Sequence, residues 1–331
     1  MAGQVTLARV WRILKEVDLQ AIRREAGRRV NVLIVGENTA EADELAIRLA
    51  EGQDDPTRWL TAFDAPLATR ALPQPASGSS DGGPGRADIV IAVLRGRDES
   101  PDMRATRRYW AGQKAHLLTV AVGGGGVAGE VQTRGGSALV AIDRIDDEGF
   151  RAVVEALFAV VEPDRRVGLA RQVPSLRPKV FNALIDETAR ANAGYAFSTG
   201  LAEMVPMLDI PLAIGDMVVL SKNQLMMSYR IALAAGKTGQ PRELIGEIVG
   251  VLGGGLLFRQ LARQLVGLVP VIGILPKVAV AYGGTWAIGR AVVLWATEGR
   301  LLTAAGLRQL SREGLARGRN LARSLRRGTE F

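Results

Sequence analysis

A change of hydrophobic pattern near residue 165 constrains this chain more than any other feature. Before it, continuous apolar runs rich in β-branched residues alternate with segments of helical spacing; after it, the runs vanish and only helical stretches remain. Strands are predicted at residues 30–35, 58–63, 87–94, 116–122 and 137–142, and helices at 39–50, 103–114 and 148–161. Alternation of this kind predicts an α/β domain at residues 30–162, a mainly parallel sheet with flanking helices. Within it, the Gly-, Pro- and Ser-rich stretch at residues 72–86 is expected to be an insertion without structure of its own.

Residues 1–29 carry Leu7, Val10, Trp11, Leu14, Val17 and Ile22 on one helical face, with Arg9, Arg12, Lys15, Glu16, Arg23 and Arg24 largely opposite. This predicts an amphipathic helix, which can dock on the rest of the chain or lie on a bilayer. Charges recur through the whole stretch, so a signal peptide is not expected. Residues 163–178, with Pro174 and Pro178 among Arg165, Arg166, Arg171 and Arg177, read as a linker. An all-α, glycine-rich domain is predicted at 179–299, with helices at 179–195, 217–235, 242–267 and 278–297, followed by a basic tail at 300–331.

Charge follows the same division. Residues 1–162 carry 20 Lys/Arg against 23 Asp/Glu, whereas residues 163–331 carry 22 against 11, so the net values are −3 and +11. A basic half looks toward nucleic acid or an anionic membrane surface. Aromatic side chains are not interleaved with this charge as single-strand binders require, which favours the membrane.

The residue inventory removes several chemistries. With no cysteine and His116 as the single histidine, thiol nucleophiles, thiolate metal sites and multi-histidine clusters are excluded. His116 opens a predicted buried strand, where a structural role outweighs membership of a Ser/His/Asp triad. No catalytic residue, metal site or cofactor is expected.

A strand ending in glycine before a helix is the place for a phosphate-binding P-loop, which needs a second glycine, a lysine and a Ser/Thr hydroxyl. After Gly36 those positions hold Glu41, Ala42 and Asp43. Two carboxylates stand where a polyanion needs positive charge, so the loop is degenerate and nucleotide binding is not expected. Asp64, before Ala65, Pro66 and Leu67, is a weak match to a GTPase switch element that lacks its glycine. Gly123, Gly124, Gly125 and Gly126 stand where a guanine-reading loop would be, and spell no dinucleotide fingerprint. Gly236, Lys237 and Thr238 imitate the end of a P-loop, but the first glycine would have to be at Ile231.

In the second half, residues 265–285 form a stretch of 21 with Lys277 as the only charge, and 244–258 a stretch of 15 with only Glu247. These lengths straddle the roughly 20 residues of a spanning helix. Gly246, Gly250 and Gly254 share one face at a spacing that suits close helix packing in lipid, while a tightly packed soluble hairpin is the alternative. Pro270 and Pro276 suggest a broken or re-entrant segment. Lys222, Asn223 and Gln224 read as a helix face in solution or at lipid headgroups. The tail carries eight arginines against Glu313 and Glu330; Arg317, Arg319, Arg323, Arg326 and Arg327 are its candidate anionic-lipid contacts.

Most of the chain resembles known bacterial families. The stretch Glu187, Thr188, Ala189, Arg190, Ala191, Asn192, Ala193, then Asp216 to Leu220 with Lys222, Asn223 and Gln224, Met227 to Tyr229, Arg259 to Gly267, Pro276 to Ala279, and Tyr282, Gly283, Gly284, Thr285 resemble the domain-of-unknown-function family 697, of the YcjF type. The first half is similar to a Ras-like GTPase fold with its phosphate and guanine positions replaced. The resemblance implies association with the bacterial inner membrane and no established reaction; the positive-inside tendency is expected to keep the tail in the cytoplasm, where the first domain is expected as well. The expected function is a non-catalytic, membrane-associated scaffold or adaptor with a pseudo-GTPase domain. Its expected partners are the bilayer or its anionic surface and an unidentified protein. An atypical GTP or ATP hydrolase with Asp43 or Asp64 at magnesium is the enzyme alternative; a nucleic-acid binder using the tail is the third.

Overall fold

Successive side chains of a strand point to opposite faces of a sheet, so a continuous apolar run needs both faces covered. In the strands Val32–Gly36, Ile89–Arg95 and His116–Val122 they are. The computed structural model describes residues 17–28, 30–37, 39–51, 87–96, 99–123, 131–134, 136–202, 212–251 and 274–327. These divide into two compact units, an α/β unit at Glu25–Val180 and a helical unit made of Met1–Arg24 with Phe181–Phe331.

The α/β unit contains β1 (Val32–Gly36), α2 (Thr39–Ala50), β2 (Ile89–Arg95), α3 (Pro101–Gly112), β3 (His116–Val122), β4 (Val131–Arg134), β5 (Ser137–Ile142) and α4 (Asp147–Val160); helix α1 (Leu19–Gly27) precedes them. The sheet order is β1-β2-β3-β5-β4. Pairings β1/β2, β2/β3 and β3/β5 are parallel, and β4 joins β5 antiparallel. A mainly parallel sheet with flanking helices is therefore present. Val32 and Ile34 of β1, Ile89, Ile91 and Val93 of β2, Leu118 and Val120 of β3, and Val140 of β5 face Leu45 and Leu49 of α2 and Val153 and Leu157 of α4. Leu33, Val35, Val90, Ala92 and Leu117 face the other way, onto Met103 and Trp110 of α3.

Residues 163–178, expected as a linker, are folded instead. Two single turns, Pro163–Arg165 and Pro174–Leu176, flank α5 (Arg166–Gln172), and Leu169, Val173 and Leu176 join the core beneath the first sheet face. Pro163 and Pro174 open their turns, where no backbone N–H is required. A Cβ on Gly168 would stand 3.0 Å from the Arg28 carbonyl oxygen, so glycine lets α5 approach that backbone.

The helical unit continues with α6 (Arg177–Ala202), α7 (Leu212–Ala234), α8 (Pro241–Val251), α9 (Ile274–Glu298) and α10 (Ala304–Arg327). Residues 304–327 of the expected tail thus form a helix. Pro276 lies in the first turn of α9, where it breaks nothing. The tightest contact in this unit lies between α9 and α10. A Cβ on Gly283 would come within 2.6 Å of the Gly314 carbonyl carbon, and one on Gly318 would collide with the Ala279 carbonyl. Pairing of 283 with 314 and of 279 with 318 makes the two helices antiparallel. A Cβ on Gly246 or Gly250 of α8 meets nothing within 4 Å. The close α9–α10 approaches thus fall at 283, 314 and 318, where glycine meets glycine or alanine and no large side chain holds the backbones apart. Gly254 and Pro270 lie outside the described residues, as do the predicted strand at 58–63, the insertion at 72–86 and the first 16 residues.

Candidate functional site

Open α/β sheets place ligands at the carboxyl ends of their parallel strands. Here β1, β2 and β3 end on one edge, followed by Glu37, Gly96 and Gly123, the two glycines at φ +78° and +75°. A phosphate site needs the N–H groups of such turns to converge on an open space. They are used otherwise. Glu37 donates its N–H to the Val93 carbonyl at 3.1 Å, Gly96 to Val122 at 2.7 Å and Gly123 to Ile142 at 2.8 Å, each stitching a turn to the neighbouring strand.

The Glu37 carboxylate then reaches across the same edge. Its Oε1 accepts the Ser100 N–H at 2.8 Å and its Oε2 accepts the Arg95 N–H at 3.4 Å. Ser100 is the N-cap of α3, its hydroxyl accepting from the Met103 N–H, and Pro101 follows at the first helical position. An internal carboxylate thereby takes the place at a helix start that favours an anion. Sequence reasoning missed Glu37 as the group that fills the edge; its signal was an acid one residue after the strand-ending glycine.

The other positions expected to form a degenerate P-loop are Gly36, Glu41, Ala42 and Asp43. Gly36 ends β1 fully within the sheet, and Ala42, at the lysine position, is 0% exposed and packs with Leu45 and Leu49. Glu41 is half-buried, and its Oε2 lacks a hydrogen-bond partner among the described residues. Asp43 is half-buried on α2. Asp64 and Gly124 to Gly126 lie outside the described residues. On the opposite edge, His116 Nε2 is 3.7 Å from Glu162, which also meets Arg165 at 3.1 Å; Arg165 meets Asp88 at 2.9 Å. That cluster ties the strand starts to the turn at Pro163–Arg165. Among the described residues, no group of three or more acidic or histidine side chains is placed to hold a metal ion.

In the helical unit, Asn223 and Gln224, expected at a polar surface, belong to a network between helices. Asn192 of α6 donates to the Thr285 hydroxyl of α9 at 2.9 Å and accepts from Asn223 of α7 at 2.8 Å. Gln224 donates to the same hydroxyl at 3.1 Å, and Thr285 donates back to the Ala281 carbonyl at 2.8 Å. Asn192 and Thr285 are both 0% exposed, so three helices are registered by groups that satisfy one another.

Helix α9 is long and apolar enough to cross a membrane, over Leu275–Glu298, and 83% of an 18-residue apolar stretch within it is buried inside the fold. On α10, Ser311, Gly314, Gly318 and Ala322 are the buried positions, while Arg308, Arg312, Arg317, Arg319 and Arg323 are exposed. The Arg317 guanidinium lies 4.7 Å over the Trp286 ring of α9. Arg326 and Arg327 fall in the last turn of α10, and Lys277 is exposed near the start of α9.

No family model, curated protein or solved structure matches the chain.

Proposed function

We propose that the chain is a non-catalytic adaptor held at an anionic membrane face, its α/β unit serving as a binding platform in place of a nucleotide switch. The observation that carries this reading is the Glu37 carboxylate, one residue after β1 and held on the Ser100 and Arg95 amides, which puts a negative charge at the strand-end edge where a phosphate would have to sit. Burial of Ala42, where a lysine would reach the phosphates, supports it. The excess of arginine on exposed positions of α10 supports attachment to an acidic surface. The proposed setting is the cytoplasmic face of a bacterial inner membrane, in keeping with the resemblance to family 697.

Titration of the purified full-length protein with GTP and with ATP, each in magnesium, tests the platform reading. No saturable binding in the micromolar range is expected. Micromolar affinity lost on Asp43→Ala or Asp64→Ala would overturn it in favour of an atypical hydrolase. Cell fractionation tests the setting: recovery in the soluble fraction rejects membrane residence, and resistance to both carbonate and high salt shows insertion rather than surface attachment.

A further inference from the structure

Helix α10 is fixed on α9 through its seam of Ser311, Gly314, Gly318 and Ala322, so the orientation of its remaining faces is set by backbone contact. With about 3.6 residues per turn, Arg308, Arg312, Arg319 and Arg323 fall within about 60° of one another, roughly a quarter turn from that seam. At about 1.5 Å per residue the row is about 22 Å long. Glu313 lies off it, bonded to Gln309 at 3.1 Å, and Arg317 lies on the other flank over Trp286. All four side chains are exposed, and among the described residues none makes an ion pair with a carboxylate.

We propose that this four-arginine row docks on the headgroups of an acidic phospholipid surface. The inference rests on the membrane reading above and narrows it to one face of one helix. Guanidinium groups match phosphate oxygens in a planar, two-point geometry. A rigid straight row suits a flat array of phosphates. Helix α10 has no aromatic residue for stacking on bases, which counts against single-stranded nucleic acid. It also lacks a large exposed apolar side chain among its described residues, so the contact stops at the headgroups and does not reach the acyl chains. Binding of this kind is electrostatic and is released by salt.

The test is co-sedimentation of the full-length protein with vesicles of phosphatidylcholine alone or mixed with phosphatidylglycerol, at low and high salt. The wild type is expected to bind only the mixed vesicles, and to leave them at high salt. The variant Arg308→Gln, Arg312→Gln, Arg319→Gln, Arg323→Gln is expected to lose about fivefold per arginine, several-hundred-fold together. A charge-matched control, Arg104→Gln, Arg108→Gln, Arg134→Gln, Arg151→Gln in the α/β unit, is expected to bind as the wild type does, with circular dichroism verifying the fold of both. Equal binding by the α10 variant and the wild type overturns the row while leaving membrane attachment standing. Failure of the wild type to bind mixed vesicles removes the membrane reading with it. Tighter binding of duplex RNA than of vesicles, lost in the α10 variant, overturns the proposal by assigning the row to nucleic acid.

Discussion

Gly283→Ala and Gly246→Ala make the same chemical change and should act in opposite directions. At position 283 the new methyl would stand 2.6 Å from the Gly314 carbonyl carbon and 2.7 Å from both the Gly314 oxygen and the Leu315 nitrogen. Carbon atoms in contact sit about 3.6 Å apart, so α9 and α10 must separate by about 1 Å. Overpacking costs about 1 to 3 kcal/mol, and the upper end applies because backbone cannot move aside by changing rotamer. Alanine returns about 0.5 to 1 kcal/mol in helix propensity, leaving a net loss of about 2 kcal/mol. At position 246 nothing lies within 4 Å of the new methyl. Only the propensity gain of about 0.5 to 1 kcal/mol then remains. Urea unfolding of the full-length protein, followed by far-ultraviolet circular dichroism, should place the Gly283→Ala midpoint below the wild type and the Gly246→Ala midpoint above it. Midpoints that move the same way, or a Gly283→Ala protein more stable than wild type, would refute the close backbone contact.

Asn192→Leu keeps the volume of a side chain that is 0% exposed but strands the Asn223 amide. A loss of about 1 to 3 kcal/mol is expected in the same unfolding measurement. If Asn192→Leu matches the wild type, the polar network does not register the three helices. Asp146 caps α4, and its carboxyl is held below the usual aspartate value chiefly by the Gly149 N–H, with further help from Arg144 and the Glu148 N–H against opposing desolvation. The stabilisation from a lowered carboxyl is present above the unfolded value of about 4 and is lost as pH falls through the folded value. The protection of the Glu148 and Gly149 amides, measured relative to the intrinsic exchange rate at each pH, should fall on acidification below about pH 4 in the wild type. The same amides in Asp146→Asn should show no such step; persistence of the step would assign it to another group.

Strands β1, β2 and β3 were legible because their apolar runs are buried on both faces, the condition under which sequence signal is strongest. Strand β4 left no such signal: of Val131, Gln132, Thr133 and Arg134, the last three are exposed. The stretch at 163–178 misleads because prolines and arginines suggest a linker. Pro163 and Pro174 instead open single turns, and Leu169, Val173 and Leu176 carry the burial. The basic face of α10 is plain from its arginines, whereas its seam is not. Ser311, Gly314, Gly318 and Ala322 recur at helical spacing, yet small residues carry little hydrophobic signal. Asn192 and Thr285 are separated by 93 residues, so no local pattern reveals that they meet. At the sheet edge, the lack of a lysine and a hydroxyl residue after Gly36 was readable one position at a time, but the use of Glu37 as an internal anion depends on which amides the fold brings to it.

The helical unit is interrupted in sequence by the whole of the α/β unit, and this affects the order in which the chain can assemble cheaply. Arg23 donates to Gln240 at 3.2 Å across 217 positions. In a flexible chain the entropic cost of closing such a loop rises with the logarithm of its length. Once residues 25–180 have condensed, most of that loop is a solid body, and the remaining search is short. Early condensation of the inserted part thus acts as a tether for the helices on either side. Damage confined to the sheet should therefore slow refolding of helices that contain none of the altered residues.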